Sequence, residues 1–217
     1  RVTGEPVWPI EERSVPASTV PGEEAAGTQP FPTKPPPFER QTTHDDDLID
    51  FTPQLRAEAM QIVGNLARGP LYLPPIVNGQ GGKQGSLLLP SPAGGANWRG
   101  AAVDPETNLL YVGSMTSPVV MSVVKPDPGR SSFDYVIRYL SARGPQGRPL
   151  VKPPSGRITA IDLNRGEIAW QVPHGDGPRD HPAIKHLKLG RLGNASNGVL
   201  SGGGGFLTKQ LYFAIQA

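Results

Sequence analysis

The sequence predicts an all-β protein: part of a propeller built from repeated antiparallel strand units, with one long Pro-rich insertion and one short helix. Three observations predict it. The pattern Gly-Glu-x-x-Trp occurs twice, at Gly4 to Trp8 and at Gly166 to Trp170. Short apolar runs recur as strand, tight turn, strand from residue 84 onward. No regular helical alternation separates them, so a repeat of hairpins fits better than a parallel α/β sheet. The first copy of the repeat starts in the middle of the pattern that the second shows whole. The expectation is a chain that begins inside a unit and belongs to a larger protein.

Residues 1–8 read as the end of one blade. Residues 9–83 form the insertion, and its first part carries Pro9, Pro16, Pro21, Pro30, Pro32, Pro35, Pro36 and Pro37. Proline fixes φ and removes a backbone donor, so this tract should be extended and mostly without ladder pairing. It reads as a long loop packed over its own domain rather than a recognition tract. Thr52 can cap a helix that Pro53 opens and Gly64 stops, with Leu55, Ala59, Ile62 and Val63 on one face.

Residues 84–217 read as further blades. Ser86 to Leu89 is a short apolar run. Ala101 to Val112 reads as strand, turn, strand around Asp104-Pro105-Glu106. Met115 to Val124 and Tyr135 to Leu140 are further strand candidates. Ile158 to Leu163 and Glu167 to Val172 form a hairpin turned at Asn164-Arg165-Gly166. Phe206-Leu207 and Gln210 to Ile215 repeat the theme after Gly202 to Gly205.

Composition excludes several functions. The 21 basic and 19 acidic residues give a formal charge of +2, which makes no electrostatic case for nucleic acid. With no cysteine there is no disulfide, thiolate metal site or cysteine nucleophile. Gly 27 and Pro 26 imply many loops, and 36% hydrophobic content implies a core drawn from a few short strands. His44 with Asp45, Asp46 and Asp47 reads as a solvated acidic patch, because calcium loops place ligands at alternating positions. His174, Asp176, Asp180, His181 and His186 match no common metal spacing. Gly202 to Gly205 lacks the Lys-Ser/Thr pair of a phosphate loop.

The segment Ala160-Ile161-Asp162-Leu163-Asn164-Arg165-Gly166-Glu167-Ile168-Ala169-Trp170 resembles the tryptophan-docking motif of eight-bladed quinoprotein propellers. In that family the Trp stacks on the Gly-containing peptide of a neighbouring blade. The resemblance makes Ala160, Asp162, Gly166 and Trp170 structural docking residues, with Gly4 and Trp8 in register as the second half of another copy. A bare glycine lets an indole lie flat on the backbone, and the indole buries a large area. Arg165 stands where the family usually has Thr. Pro6 to Arg13 with Thr28 to Phe38 resembles the insertion of the membrane-type glucose dehydrogenase branch, which uses pyrroloquinoline quinone (PQQ). Gly94 to Pro105 is similar to the segment that reaches the quinone near the propeller axis.

The resemblance implies PQQ and Ca²⁺ as cofactors of the complete protein. It implies a sugar or alcohol substrate, a quinone or cytochrome electron acceptor, and a periplasmic or periplasm-facing, membrane-associated location in a bacterium. It makes Asn97 and Trp98 quinone contacts; their plainer readings are a turn residue after Gly94-Gly95 and an inter-blade packing residue. The family's catalytic aspartate and acidic Ca²⁺ ligands have no match here, so no catalytic or metal residue is assigned to this chain. The remaining blades, or another chain, would cover its open strand edges. The alternative is a quinoprotein-like propeller without an active site, serving as a structural or binding subunit.

Overall fold

The computed structural model describes residues 3–96, 100–194, 205–207 and 212–214. It is mostly β, with one α-helix, as expected of part of a propeller. The strands are β1 (Ile10–Ser14), β2 (Thr28–Pro32), β3 (Ile76–Val77), β4 (Ser86–Leu88), β5 (Ala102–Asp104), β6 (Leu109–Met115), β7 (Val119–Val124), β8 (Val136–Ser141), β9 (Gly156–Asp162), β10 (Glu167–Pro173), β11 (Gly205–Leu207) and β12 (Tyr212–Ala214). Helix α1 spans Pro53–Gly64 and lies between β2 and β3.

The central sheet has strand order β10-β9-β6-β5, every pair antiparallel. This is a four-stranded meander of the kind a propeller blade uses. The two turns at one end of it are laced together. Asn108 Nδ2 donates to Asn164 Oδ1 at 3.0 Å, and the Leu163 N–H donates to the Asn108 carbonyl at 3.0 Å. At the β5 end of the sheet, β11 lies alongside β5, and β11 pairs with β12 in its own hairpin.

Between β6 and β9 the chain leaves the blade. Strand β7 pairs antiparallel with β8 on one side. On the other side it pairs with β4 and then, in parallel, with β3, the two lying end to end. The stretch Met115 to Val124, which the sequence suggests as one strand, is therefore divided between two sheets at Thr116-Ser117-Pro118. The chain must turn there, and Pro118 has no N–H to continue the β6 ladder.

The Pro-rich tract is more ordered than its composition predicts. β1 and β2 form a hairpin with Ile10 opposite Pro32 and Glu12 opposite Pro30. The bonds Val15 N–H to Gly27 C=O (3.1 Å) and Thr33 N–H to Pro9 C=O (3.0 Å) fix the alternation. Pro30 and Pro32 consequently fall at positions that make no cross-strand hydrogen bond, so their missing donors cost the ladder nothing.

Helix α1 forms as the sequence predicts. The Leu55 N–H donates to Thr52 Oγ1 at 3.2 Å, and Pro53 takes the first position. Leu55, Ala59 and Val63 are buried. The helix packs with Leu48, Ile49, Leu66, Leu87, Val120 and Leu150 in one core that joins the insertion to the second sheet. Each large aliphatic side chain so buried contributes about 1.5–3 kcal/mol.

Candidate functional site

Gly94 to Ala96 sits at the end of the blade where β6 finishes and β9 begins. The Met115 N–H donates to the Gly95 carbonyl at 2.8 Å, tying this segment to the last residue of β6. Asn97 and Trp98, the sequence-predicted quinone contacts, lie outside the described residues. Their segment enters from a tightly held point. A Cβ on Gly95 would lie 2.4 Å from Glu39 Cγ, so the backbone there rests directly on the Glu39 side chain.

Glu39 is the residue that sequence reading missed. Its side chain is 5% exposed and forms an ion pair at 3.4 Å with Arg157, which is 6% exposed. Ser114 Oγ donates to Glu39 Oε2 at 2.8 Å, and Thr116 Oγ1 donates to Oε1. Arg157 also donates to the Pro154 carbonyl at 2.7 Å. Burial depresses the Arg157 pKa, opposed by the Glu39 carboxylate and abetted by Arg40. The Arg157 Nε has no partner among the described residues. A buried pair with these extra bonds fixes geometry more than it adds net stability. No local pattern marks it: Glu39 lies in the insertion, and its partners come from β6, the residue after it, and β9.

The proposed docking residues have the following geometry. Asp162 Oδ1 accepts from the N–H groups of Asn164 (2.8 Å) and Arg165 (3.2 Å), which closes the β9–β10 turn. The Gly166 N–H donates to the Asp162 carbonyl at 2.8 Å, and Gly166 has a φ of +64°. Over this turn lies Trp8; a Cβ on Gly166 would be 2.7 Å from its Cζ2. Lys34 Nζ donates to the Arg165 carbonyl at 3.2 Å beside it. Ala160 stands in register between Tyr111 and Trp170, on the two neighbouring strands. Its methyl is small enough for the two rings to meet above it, with centroids 5.8 Å apart, and it is wholly buried. Trp170 is 41% exposed. Gly4 also has a positive φ, +77°, and nothing lies within 4 Å of where its Cβ would be.

Of the candidate histidines, His174 packs against the blade, whereas His186 is exposed. His174 and Asn194 lie against the start of β9, through His174 N–H to Gly156 C=O (2.9 Å) and Asn194 N–H to His174 C=O (2.9 Å). A Cβ on Gly193 would fall 2.1 Å from the Gly156 carbonyl oxygen, so two backbones touch here. Burial lowers the His174 pKa. In the acidic patch, Asp45 pairs with Arg68 at 2.5 Å, and that hydrogen bond and charge lower its pKa. Among the described residues, no group of three or more His, Cys, Asp or Glu could hold a metal ion. Nor is any helix among them long and apolar enough to cross a membrane.

Comparison with known proteins places this architecture. The family model described as the β-propeller domain of PQQ-type glucose/ethanol/alcohol dehydrogenases matches residues 1–215. The chain is 28% identical to the quinate/shikimate dehydrogenase (quinone) of Acinetobacter baylyi, over 81% of this chain and 23% of that protein. It is 24% identical to the glycerol dehydrogenase large subunit of Gluconobacter thailandicus, over 94% of this chain and 31% of that one. It is 25% identical to the quinoprotein glucose dehydrogenase of Escherichia coli, over 79% and 23% respectively. The chain thus spans between 23% and 31% of the length of these relatives. The chain belongs to the β-propeller family of PQQ-type quinoprotein dehydrogenases.

Proposed function

We propose that this chain is part of a PQQ-dependent dehydrogenase that oxidises a sugar or alcohol and passes the electrons on to a quinone or cytochrome acceptor. The observation that carries the reading is the anchored Gly94–Ala96 segment. The Met115 N–H on one side and the buried Glu39 on the other hold the backbone leading into Asn97 and Trp98. β11 beside β5 supports it, since it sets the next hairpin against the strand that this segment feeds.

The donor set suits a flat, oxygen-rich cofactor. The Asn97 amide is suited to donate to a quinone oxygen, and the Trp98 indole offers an aromatic face. When bound, the quinone would supply a two-electron acceptor for the hydride removed from the substrate carbon, and Ca²⁺ would supply a Lewis acid beside it. This chain's part is to position and to exclude water. The carboxylate base and the Ca²⁺ ligands are assigned to the rest of the protein, and so are the blades that would cover the exposed Trp170. A periplasmic or periplasm-facing location belongs to the same reading.

The test is the full-length protein with PQQ and Ca²⁺, a dye acceptor, and a panel of sugars and polyols. Quinone-dependent dye reduction supports the proposal, as does a PQQ affinity reduced about tenfold by Asn97→Ala. Failure to bind PQQ would sink it.

A further inference from the structure

A second feature lies at the same end of the blade. A cleft of about 490 Å³ opens just past β6, lined among others by Thr116, Ser117, Ser141, Arg143, Arg148 and Asn194. No acidic side chain lines it. It begins one residue beyond Met115, whose N–H anchors Gly95.

Arg148 is 3% exposed, and among the described residues neither it nor Arg143 has an ion-pair partner. Arg148 Nη1 lies 2.7 Å from His181 Nδ1, and Nη2 donates to Gln146 Oε1 at 2.9 Å. Arginine cannot accept, so His181 Nδ1 is the acceptor and the ring proton sits on Nε2. The Arg148 Nε is buried with no partner. Burial lowers the Arg148 pKa, opposed by the charge of Glu58, which makes no ion pair with it and instead accepts from the Gln146 amide at 3.4 Å. Gln146 takes a φ of +53°, uncommon for a long side chain, in the turn that presents its oxygen to Arg148. Burying a guanidinium beside neutral partners is costly unless a counter-charge arrives. The Arg157 charge nearby is already matched by Glu39, whereas among the described residues neither guanidinium of the cleft has a carboxylate in direct contact.

From this arrangement we infer that the cleft is a carboxylate-binding subsite, and that the protein takes a hydroxy acid whose carboxylate is gripped by Arg143 and Arg148. Guanidinium groups suit such a ligand because their forked N–H groups match two carboxylate oxygens. That the hydroxy acid is oxidised rests on the dehydrogenase reading above; the anion site does not.

The experiment separates the two. Full-length protein, first without PQQ and then loaded with it, is titrated by calorimetry with gluconate and with sorbitol, its neutral counterpart. Gluconate should bind in both states and sorbitol at least tenfold more weakly. Arg143→Gln changes an exposed side chain, so it should weaken gluconate about tenfold while leaving the ligand-free melting temperature in place. Arg148→Lys, which keeps charge but loses the fork, should also weaken it. Equal binding of gluconate and sorbitol, or gluconate binding untouched by Arg143→Gln, would overturn the inference. So would loss of gluconate binding on loading with PQQ, because the carboxylates gripped would then be the cofactor's own. Gluconate binding in a protein that takes up no PQQ would uphold the anion site while refuting the dehydrogenase reading.

Discussion

The indole of Trp8 lies across Gly166, so close that a Cβ there would stand 2.7 Å from Cζ2 and 2.8 Å from Cε2. The two residues are far apart in sequence, and each belongs to a copy of the same short pattern. The contact joins the start of the chain to the β9–β10 turn. Asp162 supports it from below by holding that turn closed. We propose that this is the inter-blade docking that the sequence pattern implies.

Gly166→Ala should destabilise the protein by about 2–4 kcal/mol, from backbone strain at positive φ plus the clash with Trp8. Trp8→Ala should cost about 2 kcal/mol, since the ring is only half-buried. The double variant should cost less than the sum, because removing the indole removes the clash. Denaturant melts of the four proteins would show strict additivity if the rings did not meet the turn.

Glu39→Gln should cost about 3–5 kcal/mol, because it leaves the buried Arg157 unmatched beside Thr116. Replacing both partners with apolar residues of similar volume should recover much of that loss. The same Glu39→Gln change should raise amide hydrogen exchange at Met115, whose N–H holds Gly95. Unchanged exchange there would separate the ion pair from the Gly94–Ala96 segment.

His174 should titrate below 6.5, because burial disfavours its charged form. The unfolded chain then takes up a proton that the native state refuses. Stability should fall as pH drops through about 6.5, and level off once pH passes below the native value. His174→Asn should remove this part of the slope between pH 7.5 and 5.5. An NMR titration of the imidazole checks the direction independently.

Thr52→Ala should cost about 1 kcal/mol, the value of the side-chain bond that receives the Leu55 N–H. Thr52→Ser should cost little, since it keeps the oxygen. Equal melts for the Ala and Ser variants would show that the cap is idle.

Local chemistry made much of this protein legible in its sequence. The Thr52-Pro53 start of α1, the Asp162–Gly166 turn and the hairpins of the blade depend on residues within a few positions of each other, so their signals are written contiguously. The same holds for the repeat, because Gly and Trp occur at fixed spacing in both copies. Where the sequence misled, the deciding factor was a register or a partner. Prolines at 30 and 32 were compatible with a strand only because of which residues of β1 they face. The run from Met115 to Val124 was divided because β6 and β7 found different neighbours.

By itself, then, the sequence determined the strand units, the single helix, the near-neutral charge and the absence of thiol chemistry. Only the tertiary structure decided that Glu39 from the insertion meets Arg157 of β9 beneath Gly95. It alone placed Trp8 on Gly166 and set Arg143 and Arg148 in the wall of one cleft that no acidic side chain lines. The reason is physical. A hydrogen bond between near neighbours is set by spacing and propensity, whereas the worth of a charge or a ring depends on what burial places beside it. Burial is a property of the packed chain, and no window of residues carries it.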